Sequence, residues 1–218
     1  MCSISLHVLS ICSAHNITAF FVFGDSLVEV GNNYYIDTLA APGFPNGIDF
    51  PKGTPSGRYT NSRMITDIIG KLSQNSFIIS DQNVGTCEEL GFKDYTPPFL
   101  APNTTGDVIL KGVNYASSGA GILQATGSLF GERICMDKQV DYFGKTRQDI
   151  ISRIGAPAAQ ALLRHSLYFL SIGSNDVLFS GEYNSLHRNS YTDEIVSSFK
   201  SQITVKSSRS RITILDFG

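Results

Sequence analysis

Short apolar runs with the β-branched and aromatic character of buried strands alternate along this chain with segments whose apolar residues recur every three or four positions. Ile17–Phe23 is the first run, followed by a Gly- and Pro-rich loop from Ala41 to Gly57. In "SRMITDIIGKL", Met64, Ile65, Ile68, Ile69 and Leu72 fall on one helical face. The second run, "VILKGVNYAS", ends at Ser117, and Lys138–Ile154 then places Val140, Phe143, Ile150, Ile151 and Ile154 at helical spacing. The third run is "SLYFLSIG", Ser166–Gly173. A helix from about Asp193 to Thr204 leads to the fourth, "RITILDFG", at the end of the chain. No internal repeat interrupts this order. It predicts an α/β fold: a three-layer sandwich around a central parallel sheet whose strands are joined by crossover helices.

In an open parallel sheet, ligands sit beyond the carboxyl ends of the strands, so the residues just after each run carry the information. After the first come Gly24-Asp25-Ser26. After the second come Ser117-Ser118-Gly119-Ala120-Gly121, and after the third Gly173-Ser174-Asn175-Asp176. Taken singly, Asp25 and Ser26 read as helix N-caps, because their oxygens accept free N–H groups of a first turn. "SSGAG" alone is a tight turn, and "SND" another cap. Together they bring a hydroxyl, a bare backbone N–H and a side-chain amide to one edge. Those are the nucleophile and the oxyanion donors that acyl transfer needs.

Composition narrows the partners. The 218 residues suffice for one domain with a real core, and 42% hydrophobic with 17% charged residues describe an ordinary globular chain. A net charge of −2 offers no cationic surface for nucleic acid. The one dense basic stretch, Lys200–Arg211, is short and serine-rich, and reads as a solvated helix end. No apolar run reaches the ~18 residues of a membrane-spanning helix, so no integral membrane association is expected.

Residues 1–16, "MCSISLHVLSICSAHN", are apolar and small but lack a basic start, since no Lys or Arg precedes Lys52. They read as a weak signal peptide or leader, and with the Asn103-Thr104-Thr105 sequon they suggest a secreted glycoprotein. A second sequon at Asn16 abuts the first strand. Cys2 and Cys12 lie in the leader, leaving Cys87 and Cys135 to form at most one bridge; their spacing matches no metal site.

The blocks "FGDSL" (Phe23–Leu27) with "VEVGNN" after it, "GVNYASSGAGIL" (Gly112–Leu123) and "IGSND" (Ile172–Asp176) resemble the plant-type GDSL esterase/lipase family of the SGNH hydrolases. "PSGRYTNSRMITDIIG" and the stretch from Gly131 to Ala159 are similar too, so the resemblance covers nearly all of Ala19 to about Phe199. It implies a flavodoxin-like SGNH hydrolase fold acting on carboxylic esters, including acyl lipids, with no metal, no cofactor and no obligate protein partner. Ser26 would be the nucleophile, with Gly119, Asn175 and the Ser26 N–H as oxyanion donors. The domain would run from 17 to 218.

Three departures from the family pattern qualify that expectation. The family has Gly where this chain has Ser118, whose β-carbon narrows the space by the turn. Ser73–Glu89 reads as an inserted loop. The family's catalytic Asp and His form a D-x-x-H block near a much later C-terminus, whereas this chain stops at Gly218 and no Asp in it has a His three residues on. Hence the expectation is a C-terminally truncated and impaired hydrolase; the alternative is a non-catalytic ester- or lipid-binding remnant. A flavodoxin-like cofactor binder fits less well, because "GDSLVEVG" matches neither nucleotide fingerprint. Of four histidines, His7 and His15 are in the leader. His165 precedes its strand, roughly 23 Å from the binding edge over seven residues at ~3.3 Å each. His187 follows that strand with nothing to orient it.

Overall fold

In the computed structural model, residues 17–50, 56–72, 95–179, 188–207 and 210–213 are described. The first run forms strand β1, Phe20–Gly24, buried along its whole length. A strand apolar at successive positions has both faces covered, the usual state in a parallel sheet. β1 pairs in parallel with β2, Leu167–Ser171, from Phe20 opposite Leu167 to Gly24 opposite Ser171. On its other side runs Val113–Ser117. There the Val22 N–H donates to Val113 O (3.0 Å), the Tyr115 N–H to Val22 O (2.8 Å) and the Ser117 N–H to Gly24 O (3.1 Å). Pro97–Phe99 lies outside that, bonded in parallel to Asn114. β1 is therefore an interior strand.

Side chains alternate along β1, which separates the core into two halves. Phe21 and Phe23 pack with Tyr115 and with helix α2, Met136–Ile154, whose Phe143 meets their rings edge-on at 5.4 and 5.7 Å. Ala159 of α3 (Ala156–Arg164) and Ile203 of helix α5 (Arg188–Ile203) join this half. Phe20 and Val22 face the other way, against Val28, Ala116 and Ile69 of helix α1, Ile65–Leu72. Helices thus cover both faces of a parallel sheet, the three-layer α/β arrangement expected. A short helix α4, Ser174–Leu178, follows β2 directly. Among the described residues, no helix is long and apolar enough to cross a membrane.

Several local expectations are corrected. Only Val113–Ser117 of the second run lies beside β1; Gly106–Lys111 forms a 3-10 turn closed by the Gly112 N–H on Ile109 O (3.2 Å). The turn buries Ile109 in the core, so the apolar Val-Ile-Leu run is satisfied without a strand. On α1, Ile65 and Ile68 are exposed while Thr66 and Asp67 are buried, because Asp67 turns inward to Arg58. The fourth run does not extend the parallel sheet where it is described. Ser210–Thr213 (β4) pairs antiparallel with Thr204–Ser207 (β3). Two intervening residues suit a hairpin, whereas a parallel neighbour needs a crossover of about a dozen. Helix α3 escaped the periodicity reading. Residues 1–16, the inserted loop at 73–89 and His187 lie outside the described residues.

Candidate functional site

The carboxyl ends of β1, Val113–Ser117 and β2 meet at one edge, and short polar bonds lock them together. Gly24 ends β1. A β-carbon there would stand 2.4 Å from both Ser171 O and Val28 Cγ2, so only glycine lets the strands close. The buried Gln139 of α2 clasps this point, accepting the Gly24 N–H (2.9 Å) and donating to Gly24 O (2.8 Å). Asp25, also buried, accepts the Leu27 N–H on Oδ1 (3.0 Å) and the Ser174 hydroxyl on Oδ2 (2.5 Å). The local capping role belongs to Asp25, and the backbone after it forms a turn, not a helix.

Ser26 stands half-buried on that turn, and its hydroxyl has no hydrogen-bond partner among the described residues. Its N–H is likewise uncommitted there, and so is the N–H of Gly119. Gly119 has φ of +77°, a left-handed conformation that glycine adopts freely, with the Phe130 ring against it. Asn175 is buried in the first turn of α4 and donates Nδ2–H to Ala120 O (2.8 Å), the residue after Gly119; its amide carries a second hydrogen for another acceptor. Ser26, Gly119 and Asn175 are thus brought together through Asp25–Ser174, Ser117–Gly24 and Asn175–Ala120.

Ser118 presents neither peptide group outward. Its N–H goes to Asn33 Oδ1 (3.1 Å), and its carbonyl accepts from Asn33 Nδ2 (3.1 Å). Asp176 is fully buried and its carboxylate accepts the N–H groups of Ile122 (2.9 Å) and Leu123 (3.0 Å) and the Thr126 hydroxyl (2.6 Å). It braces the loop after Gly119. His165 is the sole histidine among the described residues, and it sits at the far end of β2, where its carbonyl accepts the Thr18 N–H. Cys135 is a buried free thiol, which burial pushes above its ordinary pKa.

Over residues 20–204 the chain matches the GDSL-like Lipase/Acylhydrolase family. This span contains all three post-strand segments and most of the described core. The chain belongs to that family. Among curated GDSL proteins it is 46% identical to "GDSL esterase/lipase At4g16230" of Arabidopsis thaliana over 197 residues, 86% of this chain and 48% of that protein. It is 48% identical to "GDSL esterase/lipase At3g50400" of the same plant over 166 residues, 74% of this chain and 40% of the other. The chain therefore spans about half the length, or less, of these GDSL relatives. No solved structure gives a significant match.

Beyond the motif residues, the GDSL edge depends on side chains that pattern reading passed over. Asn32 donates to the carbonyls of Asn114 and Ala116 (both 2.9 Å) and accepts the Leu100 N–H (3.0 Å). Asn114 donates to Val28 O (2.7 Å). Glu29 is wholly buried, and desolvation raises its carboxyl from 4.5 to about 7, against the opposing pull of backbone N–H bonds and Arg58. The sequence signal for these was faint: polar residues standing beside apolar ones in "VEVGNN" and "GVNYA".

Proposed function

We propose that this chain forms the nucleophile-bearing part of a GDSL-type carboxylic ester hydrolase, with acyl-ester or lipid substrates. Ser26 attacks the ester carbonyl carbon, and its own N–H, the Gly119 N–H and the Asn175 amide receive the oxyanion. The observation that carries this reading is the gathering of an uncommitted hydroxyl with uncommitted N–H groups at one sheet edge of a family member. Exposed Leu27, Leu178 and Phe179 adjoin the site residues in sequence and offer apolar surface to an acyl chain. A secreted location and glycosylation at Asn103, which is exposed, accompany the proposal.

A serine hydroxyl needs a base to take its proton, and this chain offers no D-x-x-H pair; His165 is at the wrong end. For these 218 residues taken by themselves, that observation favours slow turnover, and it sustains a second reading in which they bind esters or lipids without hydrolysing them. Loss of triad members leaves a residual acceleration of ~10³–10⁴ over water from the oxyanion donors and binding. The test is hydrolysis of p-nitrophenyl butyrate at neutral pH, with fluorophosphonate labelling of the serine. Expected are turnover far below that of ordinary esterases, and its loss in Ser26→Ala. Activity unchanged in Ser26→Ala would remove Ser26 from the mechanism. Ordinary esterase rates lost in both Ser26→Ala and His187→Ala would make His187 the base.

A further inference from the structure

Four-residue turns with a glycine third come in two forms that differ by a flip of the central peptide, and Gly119 sits in such a turn. Ser117–Ala120 is closed by the Ala120 N–H on Ser117 O (3.2 Å), with Gly119 third at φ +77°. That is the geometry of a type II turn; in the type I form the central peptide is flipped and the third residue has negative φ. The central peptide here comprises the Ser118 carbonyl and the Gly119 N–H. Because a peptide is planar and trans, its C=O and N–H point in opposite directions. Whatever holds the Ser118 oxygen therefore aims the Gly119 N–H.

Asn33 holds it. The side chain is 1% exposed and uses all four of its bonding positions. Nδ2 donates to Ser118 O (3.1 Å) and Ala40 O (2.8 Å), while Oδ1 accepts the Ser117 hydroxyl (2.7 Å) and the Ser118 N–H (3.1 Å). Asn33 is itself anchored by Glu29, whose Oε1 accepts the N–H groups of Gly31 (2.5 Å) and Asn33 (3.3 Å). We propose that Asn33 is the positioning residue of the oxyanion site: by holding the Ser118 carbonyl it fixes the 118–119 peptide so that the Gly119 N–H faces away from Asn33, open to a ligand. The proposal rests on the hydrolase reading of this edge and names a residue that touches no substrate.

The test monitors backbone amide proton shifts of the 15N-labelled chain during titration with sodium n-butylphosphonate, a tetrahedral oxyanion with a short alkyl chain. In the native chain the Ser26 and Gly119 amides should move downfield together and saturate. Asn33→Ala should weaken the affinity read at Gly119 by about tenfold or more, the worth of one hydrogen bond to a charged acceptor. Ser117→Ala removes the hydroxyl bonds to Asn33 and Ile134 but leaves the Ser118 carbonyl held, so it should change affinity by less than about threefold while still lowering stability. Equal weakening by both variants, or none by Asn33→Ala, overturns the positioning role. A response at Ser26 without one at Gly119 overturns it too, while leaving the hydrolase reading in place. No response at either amide removes the hydrolase reading and the inference with it. Should Asn33→Ala fail to fold, hydrogen exchange of the native chain decides. The Ser118 amide, bonded to Asn33, should exchange about a hundredfold more slowly than that of Gly119; equal rates overturn the proposal.

Discussion

Glu29 carries a carboxyl wholly buried from bulk solvent, and its cost varies with pH. Burial raises its pKa from 4.5 to about 7, so the folded chain keeps this proton where the unfolded chain releases it. The contribution is fully present below about pH 4.5 and is lost as pH rises through 7, a change of about 3 kcal/mol for this group alone. Urea unfolding from pH 4.5 to 8 should show the native chain losing stability relative to Glu29→Gln; parallel curves would contradict it. Arg58 and Asp67 make a different residue-scale case. They form a two-pronged buried pair at 2.8 Å, with 6% and 3% side-chain exposure. Asp67→Asn leaves a guanidinium uncompensated beneath Phe50 and Tyr95, and should cost about 3–5 kcal/mol in chemical denaturation. The inward turn of Asp67 was not legible in the sequence, because periodicity assigns charged residues to solvent and nothing local names a distant partner.

The elements that read most clearly are those whose environment is uniform along their length. β1 is apolar at every position because both its faces are covered. α2 shows helical spacing because one stripe, Val140, Phe143 and Ile150, meets the aromatic rings of the sheet. The apolar Val108–Leu110 run was misleading because a 3-10 turn can bury a residue such as Ile109 as well as a strand does. At the Thr204–Thr213 hairpin the strand character was legible and the partner was not. Phe143→Ala empties the junction of Phe21, Phe23, Tyr115 and Tyr168 and should cost about 3–5 kcal/mol in urea unfolding, without moving the loops at the sheet edge. Gly24→Ala forces β1 and β2 apart at their carboxyl ends, and should cost about 1–3 kcal/mol or more. Unlike Phe143→Ala, it should also abolish the phosphonate response of the Ser26 amide. An unchanged Ser26 response in Gly24→Ala would show that strand closure does not place the serine.

At the scale of the molecule, sheet topology made one edge the place to look for a site before any contact was known. Residues that come after parallel strands must gather at one edge, and Ser26, Gly119 and Asn175 do. The support beneath them was hidden, because Asn33, Gln139 and Asp176 act on backbone groups far along the chain that no local motif announces. The same arrangement carries a consequence in time. β1 lies between neighbours that the ribosome delivers much later. Thr18 finds its Leu162 partner 144 residues on, and Gly24 its Gln139 clasp 115 residues on. A nascent chain must keep "AFFVF" out of trouble until residues 113–117 and 167–171 have emerged, with a row of vacant amides and carbonyls on either side. Such distant pairings slow refolding and leave a sticky segment exposed meanwhile. Production of this chain should therefore be limited by capture of early fragments more than by stability of the finished fold, and slower elongation or added chaperone should raise yield without altering the melting temperature.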